Sequence, residues 1–392
     1  MKIDFQNTEV AFSLKSDTQL QKAKLMFQTM SHPGVVSFLK GSVKASFKVG
    51  LPIKGVIKKT VFEHFCGGER IEDCATRVAA LHSQNVSAIL DYSVEGKESE
   101  ADFDRTKNTT LATIKYAKTN AGIPLSVFKP SGMGRVDLYE KVSLGKTLTA
   151  AEEKEWQRVR ERYYEIAETA VANNIPVMVD AEESWTQQAI DDLVEELMER
   201  FNKERAMVYN TAQLYRWDRL DYIKNSVARA REKGYYFGIK IVRGAYMEKE
   251  RERAKEKGYK DPIQPDKASS DRDYDAAVQF LIENVDICSS VVGTHNETSS
   301  QEVANMIDAK GLAKNDPRVY VSQLYGMSDN ISFNMAHAGY NVVKYVPFGP
   351  VEDVMPYLFR RAEENTSVAG QTGRELQLIN KELERRRKAR KK

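Results

Sequence analysis

The chain has 392 residues, 41% of them apolar, and a formal charge of +3 from 59 Lys or Arg and 56 Asp or Glu. That apolar share is enough for a core and excludes wholesale disorder, while 22 glycines and 11 prolines exclude a collagen-like or low-complexity architecture. No run of apolar residues approaches the roughly 18 that a membrane-spanning helix needs, which excludes a single-pass membrane protein.

The first 85 residues read as helices. Leu20, Ala23, Met26 and Phe27 recur at helical spacing, and breaks fall at Pro33-Gly34 and Leu51-Pro52. The N-terminus carries Asp4, Glu9 and Asp17 and no apolar stretch with a cleavage site, so neither a secretory signal nor an Arg-rich mitochondrial presequence is expected. Cys66, Cys74 and Cys288 have no zinc-knuckle spacing and cannot build a disulfide framework; they read as reduced, structural thiols of a cytoplasmic protein, with no metal site. Residues 18–62 contain eight lysines and no acid, and residues 381–392 carry a net +6, so the two ends hold +14 and the remainder −11.

From residue 86 the texture changes. Short apolar, β-branched runs cover 86–91, 124–129, 176–180, 206–210, 237–242, 290–294, 319–322 and 341–345. Charged, amphipathic segments such as 151–172 and 185–202 separate them. Nearly continuous apolar runs are how strands buried on both faces of a parallel sheet look. Eight strand–helix repeats over residues 86–370 predict an α/β fold, a (β/α)₈ TIM-type barrel, with an N-terminal helical domain (1–85) and a basic tail (371–392), helical or disordered. An open doubly wound sheet would carry a glycine-rich fingerprint after its first strand; Gly132-Met133-Gly134 lacks the third glycine.

In such a barrel the reactive groups stand at the carboxyl ends of strands. Those positions hold Asp91, Lys129, Asp180, Gln213, Arg243 with Tyr246, His295 with Asn296, Gln323 and Tyr345. Polar residues also suit loops, but Asp and Lys directly after buried strands carry a desolvation cost unless paired. After the last strand come Arg360 and Arg361. They are either solvated charges paired with Glu363 and Glu364, or two planar donors for one small carboxylate, if the helix lies across the barrel mouth.

With these residues in order, the sequence resembles the flavin-dependent proline dehydrogenases over residues 86–370. The resemblance rests on Ser126-Val127-Phe128-Lys129, Val179-Asp180-Ala181-Glu182 and Lys240-Ile241-Val242-Arg243-Gly244-Ala245-Tyr246. It continues through Gly293-Thr294-His295-Asn296, Gln323-Leu324-Tyr325-Gly326-Met327, Tyr345-Val346-Pro347-Phe348-Gly349 and Tyr357-Leu358-Phe359-Arg360-Arg361 with Glu364-Asn365.

The resemblance implies FAD held noncovalently over the barrel mouth and L-proline between it and the final helix. Arg360, Arg361 and Lys129 are implied to hold the substrate carboxylate, with Asp180 beside Lys129 and Glu364 balancing the cations. Leu324, Tyr345 and Tyr357 are implied to wall the ring, Tyr345 leaving no room for a 4-hydroxyl. Lys240, where many bacterial relatives have Arg, is implied near flavin N5, and Gln213 and Gln323 at the ring system. Val242, Gly244, Ala245 and Tyr246 are implied at the ribityl and pyrophosphate, and Thr294, His295 and Asn296 at the phosphate and adenosine. The implied reaction moves a hydride from proline C5 to flavin N5, gives Δ1-pyrroline-5-carboxylate and passes electrons to a quinone. The short chain after the barrel is expected to make the protein monofunctional, and the basic ends suit peripheral contact with the anionic inner face of the cytoplasmic membrane.

Three other readings compete. Lys129 could be the nucleophile of a Schiff-base aldolase. The barrel could be a methylenetetrahydrofolate reductase-like flavoenzyme, although the arginine pair argues against folate. The basic ends could bind nucleic acid, but aromatic residues for base stacking are few there.

Overall fold

The computed structural model describes residues 2–32, 34, 37, 41, 54–94, 98–367 and 371–391, without the side chains of 363–367, 371 and 372. Lys40, Lys44 and Lys48 of the basic arm, the breaks at Pro33 and at Leu51-Pro52, and the side chains of Glu363 and Glu364 lie outside the described residues.

Eight strands run in one direction: β1 (Val86–Tyr92), β2 (Ser126–Phe128), β3 (Val177–Val179), β4 (Val208–Gln213), β5 (Phe237–Val242), β6 (Cys288–Gly293), β7 (Val319–Leu324) and β8 (Val342–Phe348). Each is followed by one or more helices. The strand order is β1-β8-β7-β6-β5-β4-β3-β2, with β1 paired to β8 from Val86↔Val342 to Tyr92↔Phe348. At the remaining seam the Ala88 N–H donates to the carbonyl of Gly122, just before β2, at 2.8 Å. The result is a nearly closed TIM-type barrel.

The two faces of the strands explain the continuous apolar runs. Alternate residues point inward, where Ile89, Val127, Met178, Tyr209, Val291, Val343 and Tyr345 fill the barrel. Their neighbours Val86, Ala88, Val179, Ile239, Ile241 and Val342 pack outward on helix residues such as Ile114, Tyr163, Leu193 and Ile223. β4 departs from the expected 206–210 and runs on to Gln213. Its polar residues resemble loop, yet they are buried because they are satisfied: Thr211 Oγ1 donates to the Val179 carbonyl (2.8 Å) and Gln213 Nε2 to the Ala181 carbonyl (2.7 Å). β8 extends past Tyr345 because it stays paired with β1 to Phe348, and Gly67, from the segment before the barrel, also donates its N–H to the Pro347 carbonyl at 2.8 Å.

The chain ends meet. Helix Asp17–Met30 starts at a capping box formed by Ser16 and Gln19. Its Leu20, Ala23 and Phe27 pack with Phe12 and with Leu378 and Ile379 of helix Gln371–Ala389. Arg386 binds Asp17 (2.9 Å) and Glu382 (2.6 Å), and Arg390 binds Asp17 (2.6 Å). The basic C-terminal segment is therefore a helix docked on the N-terminal one. Among the described residues no helix is long and apolar enough to cross a membrane.

Candidate active site

The strand order brings the sequence-predicted cations and carboxylates to one end of the barrel. Lys240 projects inward from β5, and its Nζ lies 2.5 Å from Asp180 Oδ1, just after β3. The Tyr345 hydroxyl donates to the same oxygen at 3.3 Å, and Lys240 Nζ stands 4.8 Å from the centre of the Tyr345 ring. Burial, with Asp180 next to it, pushes the Tyr345 phenol well above its usual range.

Lys129 has a different partner from the one expected. Its Nζ lies 2.5 Å from Glu182 Oε1, so Asp180 does not hold it; Asp180 is paired with Lys240. Residues 180 and 182 follow β3 two positions apart, and each serves a lysine from a different strand. Tyr246 donates its hydroxyl to Glu182 (3.2 Å), and the Arg360 guanidinium lies 5.7 Å from the Tyr246 ring centre. Burial alone would pull the Lys129 amine down, but Glu182 and Asp91 outweigh it and hold the amine well above its usual range. Burial would likewise raise Glu182; Lys129 and Arg360 overcome it and hold the carboxyl below. Asp91, at the end of β1, is pushed up by burial more than Lys129 pulls it down. Its Oδ2 accepts from Ser93 at 2.7 Å, and its buried Oδ1 has no protein partner.

Both arginines lie on the final barrel helix, Met355–Ser367. Arg361 is buried, Arg360 is half-buried, and the Arg361 guanidinium lies 5.1 Å from the Tyr357 ring centre. Half-buried Leu324 touches both the cluster containing Tyr357 and the barrel interior containing Tyr345, so the three expected wall residues are contiguous.

Beyond β5 the chain opens outward. Gly244 and Ala245 are exposed and Val242 and Tyr246 half-buried. Gly244 has φ +130°, and a Cβ there would stand 2.5 Å from the Tyr215 ring, so only glycine fits. Arg243 ties this turn to helix Lys267–Glu283 through Asp271 (2.6 Å) and to the chain after β6 through Thr294 Oγ1 (3.3 Å) and Ser299 Oγ (2.9 Å). Asn296 spends its side-chain oxygen capping helix Glu297–Ala309, accepting from the Ser299 N–H at 3.1 Å. His295 Nδ1 lies 2.8 Å from the Ser328 hydroxyl; burial, with Lys344 and Arg361 nearby, pushes its pKa down to about 3.

The two glutamines differ. Gln323 alternates outward from β7, where its amide donates to the Thr294 carbonyl (3.0 Å) and its oxygen accepts from Ser332 (2.7 Å). Both of its polar ends are thus committed to Thr294, after β6, and to Ser332 of helix Asp329–His337. Gln213 also commits its amide nitrogen, to Ala181 and Gln187, but its buried Oε1 has no protein partner.

Glu182 and Ser328 were not singled out from the sequence as site residues. Glu182 was legible: the two-residue period that puts Asp180 at the mouth puts residue 182 beside it. Ser328 carried no signal, since its role follows from a turn conformation.

The sequence model of the family described as "Proline dehydrogenase" matches residues 74–374. The chain belongs to the proline dehydrogenase family. Proline dehydrogenase 1, mitochondrial, of Homo sapiens is 41% identical over 241 residues, 61% of this chain and 40% of that protein. Carbapenem antibiotics biosynthesis protein CarD of Pectobacterium carotovorum subsp. carotovorum is 34% identical over 324 residues, covering 82% of this chain and 83% of CarD. Among solved structures, proline utilization A (PutA) from Bdellovibrio bacteriovorus, inactivated by N-propargylglycine, superposes with a TM-score of 0.72 at 19% identity. That match covers 93% of this chain and 36% of the PutA chain, and it supports the fold alone. The chain thus spans most of CarD but well under half of the human and PutA proteins.

Proposed function

We propose that this family member oxidises L-proline to Δ1-pyrroline-5-carboxylate with a noncovalent FAD and passes the electrons to a quinone. The observation that carries this reading is the charge layout of the mouth. Lys129 and Lys240 pair with Glu182 and Asp180, Asp91 lies near Lys129, Arg360 acts on Glu182, and Arg361 stands against Tyr357. Cations gathered around a floor of carboxylates suit a substrate carboxylate and an electron-rich ring. The unpartnered Gln213 Oε1 and the Gly244 turn fit a ligand with N–H donors and a polar chain that approaches backbone closely.

In this reading Gln213, Lys240, Val242, Gly244, Ala245, Tyr246 and the Thr294–His295 loop would hold FAD. When bound, FAD supplies the acceptor for the hydride. Arg360, Arg361 and Lys129 orient the substrate carboxylate, and Leu324, Tyr345 and Tyr357 exclude water around the five-membered ring. Glu182 and Tyr246 keep Lys129 protonated and fixed; Asp180 fixes Lys240 through an ion pair. The protein contributes position and charge complementarity. A protonated Lys129 in an ion pair is a poor nucleophile, which weighs against a Schiff-base aldolase.

The test is the visible spectrum of the FAD-loaded protein before and after anaerobic L-proline. Bleaching of the oxidised flavin band, followed by its return on adding a quinone, is expected. Persistent yellow colour in a folded, FAD-loaded sample would overturn the proposal.

A further inference from the structure

The turn from β7 into helix Asp329–His337 is held largely by residues from outside the region that the family sequence model matches. Gly326 and Ser328 both take left-handed backbone, with φ of +80° and +51°. A Cβ at Gly326 would meet the His64 carbonyl at 2.5 Å, but Ser328 has no glycine's freedom and must be held. Four grips hold the turn. His64 Nε2 donates to the Gly326 carbonyl at 2.9 Å. The fully buried Lys344 Nζ donates to the Met327 carbonyl at 2.5 Å and pairs with Asp329 at 2.9 Å. Lys15 Nζ pairs with the other Asp329 oxygen at 2.7 Å. Finally, Glu375 Oε1, from the C-terminal helix, accepts the Ser328 N–H at 2.6 Å.

The same Ser328 lies 2.8 Å from His295 through its hydroxyl. The hydroxyl can either donate to Nδ1 or accept from it, so its placement holds the imidazole's orientation in either tautomer. His64, Lys15 and Glu375 all fall outside the matched residues 74–374. We propose that Glu375 is a positioning residue for the cofactor-binding loop after β6: it locks Ser328 in its left-handed conformation, and Ser328 in turn fixes His295. The proposal rests on the reading of this loop as part of a flavin site.

The test reconstitutes apoprotein with FAD and follows the dissociation constant by flavin fluorescence, with visible circular dichroism of the bound flavin as a second readout. Glu375→Ala is expected to weaken FAD about tenfold, in the range of groups that orient a ligand-binding histidine. Ser328→Gly, which keeps the left-handed turn and removes only the hydroxyl, should do the same. Glu375→Gln, which retains an acceptor, should restore wild-type affinity. In a His295→Ala background neither change should weaken FAD further, because the effect runs through the imidazole. Equal losses with and without His295, or an unchanged constant in Glu375→Ala, would overturn the proposal. If Glu375→Ala does not fold, an unchanged constant in Ser328→Gly overturns it alone. A wild-type protein that takes up no FAD overturns the flavin reading and this proposal with it, and is distinguished by failing before any substitution is made.

Discussion

At the scale of single residues, the mouth is organised by how two carboxylates are shared among cations. Asp180 and Glu182 neutralise Lys240 and Lys129, and the proposed clamp adds Arg360 and Arg361 to that pattern. Arg361 is more deeply buried than Arg360, so its truncation exposes the larger mismatch. Removing one member of a desolvated, hydrogen-bonded charge pair costs about 2–5 kcal/mol. We expect both Arg360→Ala and Arg361→Ala to lower kcat/KM for proline by at least about thirtyfold, with the larger loss at Arg361. Steady-state kinetics decide it, and wild-type efficiency in either variant would remove that arginine from the clamp. The Lys129–Glu182 pair also makes a pH prediction. Glu182 is held below its ordinary value, so its stabilisation is complete above about pH 5 and fades as pH falls through the folded value. Lys129 is held above its ordinary value, so its share is complete below about pH 10 and fades as pH rises through the folded value. Melting temperature against pH should therefore lose part of its acid-side slope in Glu182→Gln; an identical profile would show that the pair is energetically silent.

At the scale of elements, the strands were legible because a barrel strand is buried on both faces, and near-continuous apolar runs are rare elsewhere. The end of β4 was not, because Thr211 and Gln213 are buried by virtue of hydrogen bonds to Val179 and Ala181, which no local pattern reveals. The same limit applied at the mouth. Strand-end position marked Lys129 and Asp180, and the family resemblance Lys240, but which lysine meets which carboxylate depends on strand tilt and stagger, not on chain order. Turn geometry was half legible. Gly326 was seen only as part of a motif, whereas its φ of +80° and the His64 carbonyl 2.5 Å from any Cβ make it obligatory. Gly326→Ala should destabilise the protein by about 1–3 kcal/mol, since both the backbone region and the space forbid the methyl. Urea unfolding measures this. An unchanged midpoint would mean that the turn can relax, and would weaken the case that it is rigidly held.

At the scale of the whole molecule, the +3 charge conceals a clasp between the two ends of the chain. Eight basic residues near the C-terminus read as a solvated tail from sequence, because the acids that meet them, Glu9 and Asp17, are at the opposite end. In the structure Arg385, Arg386 and Arg390 are bound by Glu9, Asp17 and Glu382, and Lys388 by Glu384. Cations already paired have little attraction left for an anionic surface, where a free Lys or Arg contributes about 1 kcal/mol. Apolar burial in the clasp is larger: Leu378 and Ile379 are each about 1% exposed, and burying such a side chain is worth about 1.5–3 kcal/mol. Deleting residues 371–392 removes both and uncovers Phe12, Leu20 and Phe27, a loss comparable with much of a domain's 5–15 kcal/mol net stability. We therefore expect the deletion to lower the urea midpoint sharply, while the fraction that stays folded sediments with anionic vesicles nearly as the full chain does. The opposite outcome, unchanged stability with vesicle binding lost, would recast the C-terminal helix as a membrane-docking element instead of a structural clasp.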